Sequence, residues 1–428
     1  MVSSWTRIHE HLGLPPGPLT VDNVLDAVRD GLREADVLDW KGALPQPPRD
    51  GAWNEFAKDV AAMANTRGGL LVYGVSNDLQ PNGIDPAAVD TRTYGQWLRN
   101  HVRPFLADVD YLLLTSSDEQ KSFLVVDVPA SEFAPHSVAG TAARDKDQNA
   151  FVVPYRDRDH TAWMEEHQIT RAYRDRFAGQ QRHDQALSDL WTAARDLVVE
   201  PVGEEAWVIF AAQPVRPVPR LTGEVTRADV AVIVEKAFAA AVEIRTKGRE
   251  VVPVLYNAGG SRNNPRVGLR SWVVSNAVAS ADRDSLRGVY VQLGHDGSVV
   301  FAVNVSTKTY REDGPTGVHV VNAEVVDVAA GEFVALAQEL GRHLYIESPL
   351  GIHAGLAARE GSALAYECAS RDDIGYFTAS RSSRKPRRMQ PWTTEVLPNG
   401  SVEATRAAAE ELASSLLNQF GVSSRLYR

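Results

Sequence analysis

The stretch Ala64-Asn65-Thr66-Arg67-Gly68-Gly69 followed by Leu70–Val75 constrains the fold more than any other part of the chain. Upstream, Trp53, Phe56, Ala57, Val60 and Ala64 recur at the three- and four-residue spacing of a helix face. Downstream, Leu70–Val75 is an unbroken apolar run, far short of the ~20 residues a membrane span needs and fitted to a strand covered on both faces. The Asn and the two glycines between them can take the left-handed conformation that ends helices and allow close backbone approach. A helix therefore turns sharply into a central strand, which places this region in an α+β fold. The turn has two readings: a cap with tight packing, or backbone amides presented to a phosphate.

The remaining punctuation suggests two domains. At 428 residues the chain is long enough for two or three cores. Residues 1–19 read as a loose arm ending in Pro15–Pro18, with His9 and His11 exposed. Thr20 caps a helix to about Arg33, and a short strand runs from Val37 to Lys41. Thr93–Val102 reads as a helix, Tyr111–Leu114, Phe123–Val128 and Phe151–Tyr155 as strands, and Glu165–Phe177 as a closing helix. This first domain spans 20–180. The polar segment Ala178–Asp184 reads as a linker, and residues 185–428 form a second α+β domain. There, Thr226 and Asp229 form a capping box for a helix to about Ile244, and His295-Asp296-Gly297 turns a hairpin. Helices are also expected over Glu332–Leu344 and Val402–Phe420. Tyr256-Asn257-Ala258-Gly259-Gly260 faintly echoes the first turn.

Charge excludes the simplest nucleic-acid binder. The net charge is −10, and residues 1–180 hold 18 Lys or Arg against 26 Asp or Glu. No domain is strongly basic, so phosphate binding would need local patches. The single cysteine, Cys368, excludes a disulfide framework and fits a reducing cytoplasm. The N-terminus lacks the layout of a secretory signal, and no membrane association is expected.

Around the turn, Glu34-Ala35-Asp36-Val37-Leu38-Asp39-Trp40-Lys41 forms an acidic strand region, Asn54-Glu55 opens the helix, and Val75-Ser76-Asn77-Asp78 follows the buried strand. Gly83-Ile84, Pro135-His136 and Phe151–Arg156 with Thr161 come next. Together these resemble the Schlafen-type AlbA-like domain, in its bacterial form, over about residues 30–176. The resemblance implies a nucleic-acid-binding domain with a mixed sheet and flanking helices. It further implies that members able to cut RNA use three acids, which fall here on Glu34, Asp39 and Asp78, with Asn77 as an alternative metal ligand. Mg²⁺ or Mn²⁺ would neutralise the scissile phosphate and activate water, because hard cations prefer oxygen ligands. Two positions depart from the pattern: Asp39 stands where Glu is usual, and strict alignment at the third acid falls on Asn77. Lys41 and Arg156 would contact phosphates. The bland alternative is a set of solvated surface acids with Lys41 as an ion-pair partner.

A second cationic stretch, Arg381, Arg384, Lys385, Arg387 and Arg388, precedes Trp392 and resembles a mobile phosphate-binding loop. No P-loop, Gly-x-Gly-x-x-Gly, His-Glu-x-x-His or Gly-x-Ser-x-Gly motif occurs. Three functions follow. The first is a cytoplasmic nucleic-acid-binding protein, RNA favoured over DNA, that cleaves RNA such as tRNA with a divalent metal. The second is a non-catalytic DNA- or RNA-binding regulator. The third is a protein-interaction or defence module without nucleic-acid affinity. A homodimer is implied by resemblance alone.

Overall fold

The computed structural model describes residues 5–47, 54–106, 108–116, 121–142, 145–199, 205–216, 224–246, 252–262, 264–276, 288–307, 318–358, 365–371, 377–379 and 384–427. The fold is mixed α+β, and the chain divides into two compact units, Met1–Arg182 and His183–Arg428.

In the first unit, helices α1 (Arg7–Leu12) and α2 (Val21–Arg29) precede strand β1 (Leu38–Lys41), helix α3 (Glu55–Ala64) and strand β2 (Gly68–Tyr73). Helix α4 (Thr91–His101) then leads into β3 (Val102–Arg103), β4 (Asp110–Thr115) and β5 (Ser122–Pro129). Strands β6 (Ser137–Ala142), β7 (Asp145–Val152), β8 (Pro154–Asp157) and β9 (His160–Trp163) follow. The central sheet has the order β1-β2-β5-β4, with β1 and β2 parallel and the other pairs antiparallel. Leu70 and Val72 face one core with Ile8, Val24, Leu38 and Trp40. Leu71 and Tyr73 face the other with Phe56, Val60, Tyr94 and Leu98. Both faces of β2 are thus covered, as the apolar run requires.

Strand β1 alternates differently. Leu38 and Trp40 enter the first core, so Asp39 and Lys41 project onto the face that α3 covers. Two charged side chains are thereby carried beneath a helix, where only other charges can satisfy them.

The N-terminal segment is not a loose arm. Thr6 and His9 form a capping box for α1, Gly13 ends it in the left-handed conformation, and Ile8 and His9 are buried. Burial lowers the pKa of His9, against a backbone hydrogen bond to Gly17 that raises it. His11 is exposed as expected. The expected linker is also helical: one helix, α5 (Glu166–Val198), runs through Ala178–Asp184. Its buried residues, Leu187, Ala194 and Val198, all follow that segment, so no apolar stripe marks the segment itself, and Gln, Arg and Ala are good helix formers that carry the helix past Gly179.

The second unit begins with the second half of α5. It continues with β10 (Trp207–Pro214), α6 (Arg227–Glu243), β11 (Arg266–Gly268), β12 (Ser271–Ser275), β13 (Val289–Gly294), β14 (Val299–Asn304) and β15 (Val318–Asn322). Helix α7 (Ala323–His343), β16 (Leu350–Ala357), β17 (Ala365–Arg371), β18 (Phe377–Ala379), β19 (Trp392–Val396) and α8 (Val402–Leu417) complete it. Seven antiparallel strands, in the order β11-β12-β13-β14-β10-β16-β19, form its main sheet. On one face Phe210 stacks on Phe333 of α7 with centroids 5.0 Å apart. On the other, Trp191 of α5 donates to the Ile209 carbonyl at 3.0 Å. Helix α7 starts nine residues before the expected Glu332 because it is buried on every side and has no polar face to reveal its period. The echo of the first turn is not a second copy of it, since Leu255–Arg262 is a short 3-10 helix and not a helix-to-strand turn.

Glu332 of α7 is fully buried and accepts from Arg245 Nη2 at 2.8 Å, from the Val254 amide at 3.1 Å and from the Leu255 amide at 2.7 Å. Burial pushes its pKa up to about 7 from an ordinary 4.5, although these donors pull it down. Between those two values the folded chain holds a proton that the unfolded chain has released. Stability contributed by this group is therefore full below the unfolded value and is lost as pH rises through the folded one. The loss is about 3 kcal/mol at one pK unit per 1.36 kcal/mol. Urea unfolding from pH 5 to 8 should show stability declining toward pH 8 in the native chain and a flatter profile in Glu332→Gln. Parallel profiles would refute it.

Candidate functional site

The acidic region is built by three elements that converge on β1. Asp39 lies on β1, Asp59 and Lys58 on α3, and Arg156 on β8. Asn54 caps α3 by accepting from the Ala57 amide at 2.8 Å. The Asn-Thr turn after α3 then fixes the approach of β8. Asn65 Nδ2 donates to the His136 and Pro154 carbonyls at 2.8 Å each, and its Oδ1 accepts from the His136 amide at 2.6 Å. Thr66 Oγ1 accepts from the Arg156 amide at 2.9 Å. These polar turn residues serve as clamps on neighbouring backbone.

Asp39 Oδ2 accepts from Arg156 Nη1 at 3.1 Å and from Lys41 Nζ at 3.1 Å. The side chains of Asp39 and Arg156 are 4 % and 3 % exposed. Lys41 Nζ also lies 3.1 Å from Asp59, and Lys58 lies 3.6 Å from Asp59 and pairs with Glu55. Burial raises the pKa of Asp39, the Asp59 carboxylate adds to the rise, and the Lys41 and Arg156 cations oppose it. Burial works against the charge on Lys41, but Asp59 and Asp39 outweigh it and hold its pKa up. Glu34 is half-buried, and its pKa is raised by burial and then by the Asp39 charge. Glu34 and Asp39 are thus within electrostatic reach of each other.

Asp78 and Asn77 are elsewhere. Both are exposed in the turn closed by the Val75–Pro81 bridge, where the Ser76 amide donates to the Gln80 carbonyl at 3.0 Å. Among the described residues no group of three or more His, Cys, Asp or Glu could hold a metal ion. The expected convergence of Glu34, Asp39 and Asp78 is therefore not what the fold builds. The donor set does not fit Mg²⁺ or Mn²⁺. A hard divalent cation needs several free oxygens at about 2.0–2.6 Å, whereas Asp39 has two cations on one oxygen.

Arg156, expected on a phosphate, is buried, with its guanidinium donating to Asp39 at 3.1 Å and to the Ala35 carbonyl at 3.4 Å. Lys41 keeps 33 % side-chain exposure, with its charge matched by two carboxylates. In the second unit Arg384, Arg387 and Arg388 are exposed, while Lys385 pairs with the buried Glu367 at 3.2 Å. Arg381 lies outside the described residues. The described part of this stretch is anchored: the Arg384 amide donates to the Phe420 carbonyl and the Pro386 carbonyl accepts from Tyr366, both at 2.8 Å. Trp392 donates to Glu411 at 3.1 Å.

Asp59 escaped the sequence reading, yet its signal is present. It sits three residues after Phe56 and four before Met63, on the apolar face of α3, where a charge implies a buried partner. No described helix is long and apolar enough to cross a membrane. No curated protein and no solved structure matches the chain. The family model described as Schlafen, AlbA_2 matches residues 34–164, from the acidic strand region to the end of the β8–β9 hairpin. That family suggests a nucleic-acid-related function. The layout of β1, α3, the Asn-Thr-x-Gly-Gly turn and β2, together with this match, identifies residues 34–164 as a Schlafen-type AlbA-like domain.

Proposed function

We propose that this protein binds nucleic acid and does so as a non-catalytic binder rather than as a metal-dependent nuclease. One observation carries the second half of the reading: Asp39, the centre of the acid set, is buried and neutralised by Arg156 and Lys41. A phosphate approaching this face meets two acids already balanced by two cations. Binding surfaces must lie elsewhere, and the exposed Arg384, Arg387 and Arg388 support one of them. RNA as the preferred form, a cytoplasmic location and a homodimer belong to the same proposal.

The test measures anisotropy of labelled RNA and DNA across a salt series, with and without Mn²⁺. Binding should weaken steeply with salt, and Arg384→Gln/Arg387→Gln/Arg388→Gln should make the log–log slope shallower by roughly 2, at about 0.7 per phosphate contact on single strands. Glu34→Gln should leave binding intact, and no Mn²⁺-dependent cleavage should occur. Cleavage by the native chain that Glu34→Gln abolishes would overturn the non-catalytic reading. Absence of salt-dependent affinity for any nucleic acid would overturn the whole proposal.

A further inference from the structure

Three phenylalanines of the first unit stand out of its cores: Phe105 is 42 % exposed, Phe133 52 % and Phe177 57 %. A single exposed apolar ring needs no explanation, but a cluster held together by cations does. The Arg176 guanidinium lies 5.2 Å from the centroid of Phe133 and 5.9 Å from that of Phe177, and its Nη1 donates to the Phe133 carbonyl at 3.2 Å. Arg99 lies 5.3 Å over Phe105.

The loops that carry Phe105 and Phe133 are fixed by a buried post, and Phe177 lies on α5. His136 is fully buried. Its Nδ1 bonds the carbonyl of Pro104, next to Phe105, at 2.8 Å, and its Nε2 bonds Ser131 Oγ, two residues before Phe133, at 2.6 Å. Below them β3 pairs with β6 through Arg103 and Ser137. The rings are held in place before any ligand arrives, so little ordering cost remains to be met on binding.

Resting on the nucleic-acid reading above, the geometry points to a platform for unpaired bases: Phe133 and Phe177, both in contact with Arg176, stack the bases of a single strand, and Arg176 and Arg99 meet its phosphates. A duplex offers no free base faces to such rings. Charge alone cannot supply the affinity, since residues 1–180 carry more acids than bases and Glu132 stands beside Phe133. Stacking is tolerant of sequence and does not depend on a basic surface, which suits an acidic chain.

The test uses the full chain with a labelled mixed-sequence single strand, the corresponding duplex and an abasic strand with the same number of phosphates. The single strand should bind tightest. Phe133→Leu/Phe177→Leu keeps apolar bulk but removes the aromatic faces, and it should weaken single-strand binding about tenfold or more while leaving the abasic strand unchanged. Phe133→Trp/Phe177→Trp should restore affinity, and 2-aminopurine in the strand should be quenched by the native chain and not by the leucine variant. Native chain that binds strands equally well with leucine at both positions overturns this inference and leaves the wider reading standing. Native chain that binds no nucleic acid overturns both. A leucine variant whose only change is its sedimentation as monomer or dimer would show that the rings serve a second copy, and would equally overturn the platform.

Discussion

Replacing Asp39 by alanine is expected to destabilise the first unit by about 3–5 kcal/mol, the usual cost of removing one partner from a buried ion pair. The reason lies in what remains. The Arg156 side chain is 3 % exposed, and without Asp39 its guanidinium keeps one long hydrogen bond to the Ala35 carbonyl. Lys41 would still have Asp59. Arg156→Ala should cost less, because Asp39 keeps Lys41. The raised pKa of Asp39 adds a constraint. Burial and the neighbouring Asp59 charge together cost its ionised form more than the two cations return, so the pair is not a net source of stability over a neutral site. Removing both charges in Asp39→Leu/Arg156→Met should therefore recover most of the loss, as replacement of buried pairs by apolar groups often does. Thermal unfolding should show a drop of roughly 10 °C for Asp39→Ala, at about 2–4 °C per kcal/mol for a unit of this size. A melting point within about 2 °C of native would mean that Arg156 finds water or another partner. The consequence for function is direct. Lost activity in an Asp39 variant reads out unfolding, so catalysis is to be tested at Glu34.

The same cluster shows which parts of the molecule were legible in the chain. Elements with a one-sided apolar pattern were readable: α2 and α3 lie where the spacing of Val24, Phe56 and Val60 places them, and β2 lies where the short apolar run Leu70–Val75 fits a strand covered on both faces. Long helices with uniform surroundings were readable only in part. Burial of α7 on nearly all sides hid its first half, and the lack of any buried residue in Ala178–Asp184 hid the continuity of α5 through the expected linker. The site follows the same logic. Alternation along β1 places Lys41 with Asp39, and the 3.1 Å ion pair bears this out. Whether Asp78 would join them depended on the path of the turn after β2, which no local pattern encodes. Arg156 is 117 residues from its partner Asp39, and its role was set by Thr66 holding β8 against the end of α3. Long-range pairing of this kind becomes visible only when strands are assembled. The Phe133–Arg176 contact, joining a loop to α5, was hidden for the same reason.

Gly69→Ala should be more damaging still, with a cost above about 4 kcal/mol and loss of the folded first unit. Gly69 has φ +148°, and a Cβ there would lie 2.4 Å from the Val37 carbonyl oxygen and 2.7 Å from Val37 Cα. Those atoms are backbone at the entry to β1, and the Val37 carbonyl is already bonded to the Leu70 amide at 3.0 Å, so they cannot retreat without breaking the parallel pairing. Gly68 meets the opposite strand in the same way: its Cβ would fall 2.5 Å from the Ala130 amide nitrogen, with φ +72°. The two glycines are squeezed between β1 and β5, and this decides between the two readings of the turn. The Leu70 amide that might have faced a phosphate is used by Val37, and the close strand approach alone demands glycine. Gly95 provides the control. It lies inside α4 with nothing within 4 Å of its Cβ position, so Gly95→Ala should raise stability by about 0.5–1 kcal/mol. Far-ultraviolet circular dichroism and urea unfolding of both variants check the contrast. A folded Gly69→Ala of native stability would show that β1 can move away from β2, and with it Asp39 and Lys41 from Asp59 on α3. The acids would then be free to rearrange, and Asp39 would no longer be locked against a metal.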